Sequence, residues 1–209
     1  MSSLPLHIRG LCKAFGDRPI LDHVDLQVAP GEIVQLSGGN GAGKTTLIRT
    51  AVGTLVPDAG TIEIGGFDLA TQPLEARGRL RYLPQAPPPM RGVSGRELLG
   101  LYTRIYTDAD QPSEASVAAA GLGDALDHLV STYSVGMYRR LLFASLLCGA
   151  PTLVVLDEPF AGLDEHAAAL VTAQLERWVA AGVGVLFSSH ATAALGAALS
   201  VRVVECSPA

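Results

Sequence analysis

Residues 38–45 form a run whose residue types could bind a phosphate chain. They read Gly-Gly-Asn-Gly-Ala-Gly-Lys-Thr, which fits the pattern G-x-x-x-x-G-K-[ST], and Thr46 follows directly. Glycines let the backbone wrap a phosphate chain closely, so that successive N–H groups point at its oxygens. In this pattern Lys44 supplies positive charge for the β- and γ-phosphates, and the Thr45 hydroxyl can enter a Mg²⁺ shell. The run therefore predicts a nucleoside triphosphate site, and the predicted binding residues are Gly38, Gly39, Asn40, Gly41, Ala42, Gly43, Lys44, Thr45 and Thr46.

The segments on either side of this loop agree with that prediction. Glu32–Leu36 is a short β-type run before the loop, and Thr46–Val52 can form a helix after it. The N-terminus of that helix would then face the bound anion. The chain has only two lysines, Lys13 and Lys44, and one of them stands where a phosphate site needs a cation.

Two acidic residues follow an apolar run later in the chain. Leu153–Leu156 precedes Asp157 and Glu158. In a P-loop ATPase an acid at the end of such a strand holds Mg²⁺ through water, and the acid after it polarises the attacking water. An acidic pair that merely opens a loop is the alternative, and the complete phosphate loop makes the ATPase interpretation the favoured one.

The composition is that of one large globular domain or two small ones. The 209 residues are 48% hydrophobic and 17% charged, and the net charge of −5 argues against a broad nucleic-acid surface. The three cysteines show no metal-ligand spacing and are expected to be reduced thiols. The first residues lack the features of a signal peptide, and the longest apolar stretch, Leu141–Leu156, is interrupted by polar residues and Pro151. No membrane span is therefore expected.

Strand and helix signals alternate along the chain in an α/β pattern. Expected strands are His7–Leu11, Leu21–Val28, Thr61–Ile64, Leu80–Leu83, Thr152–Leu156, Gly184–Ser188 and Val201–Cys206. Expected helices are Leu98–Ile105, introduced by a capping box that starts at Ser94, and Tyr138–Leu147, Glu165–Ala180 and Ala191–Leu199.

The order of these motifs resembles the nucleotide-binding subunit of ATP-binding-cassette (ABC) transporters, from about Leu6 to His190. Phe15 lies 23 residues before Gly38, where the family places an aromatic ring that stacks on adenine. Gln85 matches the glutamine that reaches Mg²⁺ and the water and senses the γ-phosphate. Asp164 matches the loop that crosses the dimer interface, and His190 matches the switch histidine that contacts the γ-phosphate.

Each of these residues also has an ordinary structural interpretation. Phe15 could pack like any other aromatic, and Gln85 could be a surface residue at a strand end. Asp164 could cap a helix, and His190 could be a structural or solvated histidine. The joint order and spacing of the motifs carry the resemblance.

The segment Tyr133–Met137 departs from the common form of the family's signature. The family usually shows Leu-Ser-Gly-Gly-Gln, whereas this chain reads Tyr-Ser-Val-Gly-Met, with Val135 and Met137 as the departures. Ser134 and Gly136 match the hydroxyl and the close backbone N–H that are aimed at a γ-phosphate. The variant resembles subunits that are paired with ABC-2-type export permeases. Ser134 is also the expected N-cap of the following helix.

The resemblance implies one ABC ATPase domain over residues 1–209. Its fold class is α/β: a P-loop NTPase core with a mixed, mainly parallel sheet, an antiparallel β subdomain and an α-helical subdomain inserted at about 88–150. ATP and Mg²⁺ are the implied ligands. Lys44, Thr45, Gln85 and Asp157 would organise phosphate and metal. Glu158 would act as general base or position the water, and His190 would stabilise the transition state.

The resemblance also implies partners and a location. A second ATPase subunit, identical or not, would complete the site, and a separate transmembrane permease would bind the transported substrate. The protein would sit peripherally at the cytoplasmic face of the membrane without a C-terminal regulatory extension, and export is favoured over import. No nucleic-acid partner is expected. Alternatives are a haem-exporter ATPase of cytochrome c maturation and a soluble ABC-type ATPase that acts on ribosomes or nucleic acid. A P-loop kinase or GTPase would not explain Gln85, Ser134 and His190 together.

Overall fold

The computed structural model describes residues 3–86, 90–189 and 199–206. The chain divides into two compact units, one of residues 1–85 with 151–209 and one of residues 86–150. The described part of the first unit contains the strands β1 (Leu6–Phe15), β2 (Arg18–Val28), β3 (Ile33–Ser37), β4 (Ala59–Ile64), β5 (Phe67–Asp68), β6 (Leu80–Leu83), β7 (Leu153–Asp157), β8 (Gly184–Ser188) and β9 (Val201–Glu205). The α-helices of the described residues are α1 (Lys44–Ala51), α2 (Pro73–Gly78) and α6 (Glu165–Ala180) in the first unit, and α3 (Gly95–Tyr106), α4 (Glu114–Ala120) and α5 (Val135–Ser145) in the second.

A five-stranded parallel sheet positions the candidate site. Its order is β6-β7-β8-β3-β9, and each neighbouring pair is parallel. Every residue of β7 and β8 is buried, as is usual for parallel strands covered on both faces. Because parallel strands end at the same edge of a sheet, the phosphate loop after β3 and the acidic pair at the end of β7 lie at one edge.

The remaining strands form a four-stranded antiparallel sheet in the order β2-β1-β4-β5. Its inner face shares one hydrophobic core with α1 and the parallel sheet. Members of this core include Leu6, Ile8, Val28, Val34, Leu36, Leu47, Ile48 and Val155. The predicted α/β class with an antiparallel β part is therefore confirmed, although the antiparallel pairs are segregated into a sheet of their own.

Several predicted boundaries shift in the structure. Helix α1 begins at Lys44 rather than Thr46, because Gly43 ends the loop in a left-handed conformation directly before it. Helix α5 begins at Val135 rather than Tyr138, because the Ser134 side chain caps it. Strand β5 and helix α2 were not predicted. Residues 191–198 of the expected helix Ala191–Leu199 lie outside the described residues.

The second unit is helical in its described residues. Ser94 Oγ accepts the backbone N–H of Glu97, and the Glu97 carboxylate accepts the backbone N–H of Ser94, so the predicted capping box starts α3. Within the described ranges, no helix combines the length and the apolar character needed to cross a bilayer. The helical segment expected at about 88–150 lies in this unit, and its role as an inserted subdomain stays a prediction.

Candidate active site

The phosphate loop is fixed by two glycines that other residues could not replace without strain. Gly43 has φ +89°, and a Cβ there would lie 3.2 Å from the carbonyl oxygen of Ile20. Gly38 has φ +143°, and a Cβ there would lie 2.6 Å from the carbonyl oxygen of Cys206. The loop is therefore held between β2 and the end of β9, which requires the absence of a side chain at both positions.

The loop's lysine is bonded to the loop itself. Lys44 Nζ donates hydrogen bonds to the carbonyl oxygens of Gly38, at 2.6 Å, and Gly39, at 3.1 Å. Only 6% of the residue is exposed. The ammonium thus lies over the start of the loop, at the first residue of α1, and its bonds to two carbonyls keep the loop curled.

A pocket of about 380 Å³ lies against this loop. It brings together Lys44, Thr45, Gln85 and Glu158, four of the residues that the sequence predicted to act together. The remaining lining residues are Arg18, Ile20, Asn40, Gly41, Ala42, Gly43 and Thr46. A cation, a hydroxyl, an amide and a carboxylate therefore face one space of a size suited to a small ligand.

The two acids at the end of β7 are positioned by a serine of β8. Ser188 Oγ donates to Asp157 Oδ1 at 2.6 Å and accepts the backbone N–H of Glu158 at 3.0 Å. Asp157 is 2% exposed and Glu158 is 7% exposed. Glu158 has φ +53°, a conformation that costs a non-glycine residue energy and that is concentrated at functional sites.

The surroundings of Tyr82, a residue of β6, raise the pKa of its hydroxyl. Burial, and after it the negative charge of Asp157, raise the pKa of Tyr82 to about 12, whereas the charge of Arg49 acts in the opposite direction. Tyr82 therefore stays a neutral phenol across the physiological pH range and adds no negative charge near Asp157.

The donor atoms at this edge of the sheet suit Mg²⁺, which prefers oxygen ligands and retains several waters. Thr45 offers a hydroxyl, Gln85 an amide oxygen and Asp157 a carboxylate. Thr45 and Gln85 are exposed and line the same pocket, and Asp157 immediately precedes Glu158, which also lines it. The residues present therefore fit the metal that the sequence implied.

Phe15 ends β1 at the tip of a hairpin and is 54% exposed. Lys13 Nζ lies 5.8 Å from the centroid of its ring. Its cross-strand partner is Arg18, which lines the pocket. The hairpin thus places an exposed aromatic ring next to a cationic pocket residue that the sequence analysis missed.

Ser134 and Gly136 lie at the start of α5 in the second unit. Ser134 Oγ accepts the backbone N–H of Met137 at 3.2 Å, as its predicted cap role requires. Apart from the adjacent residues and the backbone of α5 itself, the nearest described atom to a Cβ built at Gly136 is Ser134 Oγ, at 4.0 Å, and the intervening Val135 is 80% exposed. The first turn of α5 is therefore open.

The two remaining candidate residues are Asp164 and His190. Asp164 Oδ1 accepts the backbone N–H of Ala167 at 2.8 Å and caps α6, so its ordinary structural interpretation is confirmed. Its role at a dimer interface stays a prediction. His190 lies outside the described residues.

Comparison with known proteins assigns this arrangement to a family. The family model described as "ABC transporter" matches residues 21–161, about two thirds of the chain. The chain belongs to the ABC transporter family. The resemblance drawn from the motifs is thereby confirmed.

Similar proteins within the ABC family carry ATP-binding names. The uncharacterized ABC transporter ATP-binding protein YdbJ of Bacillus subtilis is 36% identical over 197 residues, which cover 88% of this chain and 61% of that protein. The Nod factor export ATP-binding protein I of Sinorhizobium fredii is 34% identical, with coverage of 90% and 56%. The chain thus spans about three fifths of the length of these curated relatives. A solved structure titled "Structure of ATP binding subunit of ABC transporter" superposes with a TM-score of 0.81 at 30% identity, covering 90% of this chain and 80% of that one.

Proposed function

We propose that this chain binds ATP with Mg²⁺, hydrolyses it, and thereby powers a membrane transporter. The observation that carries the proposal is the pocket that joins the phosphate loop, with Lys44, to Gln85 and Glu158. A cation for phosphates and a carboxylate for water in one cavity are two of the requirements of phosphoryl transfer to water.

Binding would rest on the loop and the start of α1. The N–H groups of Gly38–Thr46 would surround the phosphates, and Lys44 would exchange its bonds to the loop carbonyls for bonds to phosphate oxygens. Phe15, exposed at the hairpin tip, would stack on adenine.

Thr45, Gln85 and Asp157 would hold the metal, which when bound neutralises charge that builds up on the phosphate oxygens. Glu158 would accept a proton from the attacking water or orient it. Gln85, exposed on the same pocket, would sense the γ-phosphate. His190 would stabilise the transition state.

The site would be completed by a second ATPase subunit. Ser134 Oγ and the backbone N–H of Gly136 would contact the γ-phosphate held by the partner's loop, and Asp164 would lie at the interface. The open first turn of α5 supports this assignment, because a phosphate can approach it closely. The chain would act at the cytoplasmic face of the membrane with a separate permease, and without nucleic acid. The Nod factor export relatives and the Tyr-Ser-Val-Gly-Met signature favour export.

The decisive experiment compares E158Q with wild type in ATP binding and ATP hydrolysis. Loss of a general base lowers turnover by about 10²–10⁴-fold, and ATP affinity is expected to stay unchanged. E176Q, at an exposed position on α6 outside the pocket, is the matched control and should hydrolyse ATP at the wild-type rate. Wild-type hydrolysis by E158Q would contradict the role of Glu158.

The binding part of the proposal is tested separately with K44A. Loss of the ammonium is expected to weaken ATP binding or turnover sharply, and ATP binding and turnover at wild-type levels would reject the phosphate-loop assignment. Transport is tested by co-purification from detergent-solubilised membranes, where a permease with several membrane spans should accompany the chain. Recovery on ribosomes alone would contradict the transport role.

A further inference from the structure

Three side chains with metal-binding atoms converge on the β1–β2 hairpin, outside the nucleotide pocket. They are Cys12, Asp22 and His23, and one potential ligand atom from each lies within 4.8 Å of the others. Cys12 is half-buried, whereas Asp22 and His23 are exposed. The spacing of the cysteines in the sequence gave no sign of this cluster, because the other two ligands come from the opposite strand ten residues later.

A β-bulge creates the cluster. Leu11 pairs with Val24 and Lys13 pairs with Leu21, so one residue of β1, Cys12, opposes two residues of β2. Those two residues are Asp22 and His23. Bulges redirect side chains, and this bulge brings the side chains of Asp22 and His23 close to the thiol of Cys12.

The backbone of His23 has a strained conformation at this bulge. Its φ is +47°, a value that is uncommon outside glycine, and its backbone N–H points to Cys12 Sγ at 3.4 Å. Its ring Nδ1 lies 2.6 Å from Asp22 Oδ1. The backbone therefore fixes the thiol next to the histidine, and the exposed side chains remain free to adjust.

The donor set and its spacing match Zn²⁺. Zinc takes thiolate, imidazole and carboxylate ligands, and tetrahedral geometry at its usual bond lengths places the ligand atoms about 3.3–3.6 Å apart. The imidazole–carboxylate distance would have to open from 2.6 Å to about 3.3 Å, and the widest separation, at most 4.8 Å, would have to close to about 3.6 Å. Side chains that are 81% and 69% exposed, His23 and Asp22, can make such changes by rotating.

We propose that Cys12, Asp22 and His23 form a binding site for one Zn²⁺ ion per chain, with water as the fourth ligand. Binding releases the thiol proton of Cys12 to solvent, and no electron transfer is involved. The ion would clamp the two strands at the bulge. Leu21 lies directly before the bulge, and its side chain is 3.4 Å from the position that a Cβ would take at Gly43. The proposed zinc ligand Asp22 is therefore the next residue after one that contacts the phosphate loop.

The test uses the full chain, stripped of metal with a chelator and kept reduced, without nucleotide. Co²⁺ is the probe, because thiolate-to-cobalt charge transfer absorbs only when a cysteine is a ligand. We expect one equivalent of Co²⁺ to give this band and Zn²⁺ to displace it. Zn²⁺ should also raise the midpoint of thermal unfolding.

The variants separate this site from other metal binding. C12S should abolish the band, and H23N and D22N should weaken Zn²⁺ binding at least about tenfold. Asparagine tolerates positive φ, so H23N removes the imidazole without new strain. C206S and H7N are matched controls that should keep the band. A band that survives C12S, or no thiolate band at one equivalent of Co²⁺, would overturn the proposal. If C12S does not fold, wild-type affinity in H23N and D22N would overturn it equally.

Discussion

Ser188 Oγ donates a hydrogen bond to Asp157 Oδ1 over 2.6 Å, and the same oxygen accepts the backbone N–H of Glu158. The contact follows from the register of two parallel strands, in which Asp157 pairs with Ser188. One buried hydroxyl therefore orients both the acid proposed to hold metal and the acid proposed to act on water.

The S188A variant should lower both stability and turnover. Removing the hydroxyl leaves a buried carboxylate oxygen and a buried N–H without this partner, which costs about 1–3 kcal/mol in the free energy of unfolding. ATP hydrolysis should fall more than ATP affinity, because the acids lose their orientation. S145A is the control: Ser145 is also buried, and its hydroxyl donates to the Leu142 carbonyl in the second unit. If S188A and S145A hydrolyse ATP at the same rate, Ser188 has no positioning role.

The G136A variant should lower ATP-dependent dimerisation and hydrolysis without lowering the stability of the fold. Alanine at this position of α5 meets open space and favours the helix by about 0.5–1 kcal/mol, so thermal stability should stay equal or rise. ATP-dependent dimerisation and hydrolysis should fall, because the added methyl group blocks the close approach of a partner's phosphate. Size-exclusion chromatography with ATP in the E158Q background measures the dimer. Undiminished dimerisation and turnover would show that Gly136 is only a structural residue.

Arg18 should contribute to ATP affinity through its position on the pocket wall. R18A is expected to weaken ATP binding about tenfold, equivalent to about 1.4 kcal/mol, and R18K should recover part of the loss. R9A is the control, because Arg9 is paired with Glu63 and does not line the pocket. Equilibrium binding at two salt concentrations measures the charge contribution. Equal affinities of R18A and R9A for ATP would refute this role.

The ion pair between Arg202 and Glu32 should make stability depend on pH. Arg202 Nε donates to Glu32 Oε1 at 2.6 Å, and this bond holds the pKa of Glu32 below its usual value of 4.5 despite partial burial. Because the folded pKa is lowered, the pair stabilises the fold above the unfolded pKa, and this contribution disappears as the pH falls through the folded pKa. E32Q should be less stable than wild type by about 0.5–1 kcal/mol at pH 7. Unfolding by denaturant from pH 7 down to pH 3 should show the difference shrinking, and a constant difference would contradict the linkage.

Local chemistry made part of the site predictable from the sequence. Gly38–Thr45 could be predicted to bind phosphate because these residues are contiguous and their types fit a phosphate-binding pattern. The caps at Ser94, Ser134 and Asp164 were found for the same reason, since each bond spans three residues. The α/β class followed from apolar runs such as Leu153–Leu156, which β7 buries completely.

Contacts that depend on strand register were not predictable from one sequence. Ser188 and Asp157 are 31 residues apart, and only the pairing of β7 with β8 joins them. Arg18 reaches the pocket because its hairpin folds back beside the loop, and Cys12 meets His23 because a bulge adds one residue to β2. A substitution pattern shared by paired positions would be the signal for such contacts.

The bonds from Lys44 to the carbonyl oxygens of Gly38 and Gly39 would make the proposed binding of a nucleotide an exchange of hydrogen bonds. The free energy of binding would then be the gain from the new bonds to phosphate less the loss of these two bonds. The affinity would therefore be lower than the attraction between the ammonium and the phosphates alone would give. The curled loop has already given up much of its conformational freedom before a ligand arrives. A lysine-to-methionine change at residue 44 should therefore loosen the loop in the nucleotide-free protein, which faster amide hydrogen exchange at Gly39–Gly43 would reveal.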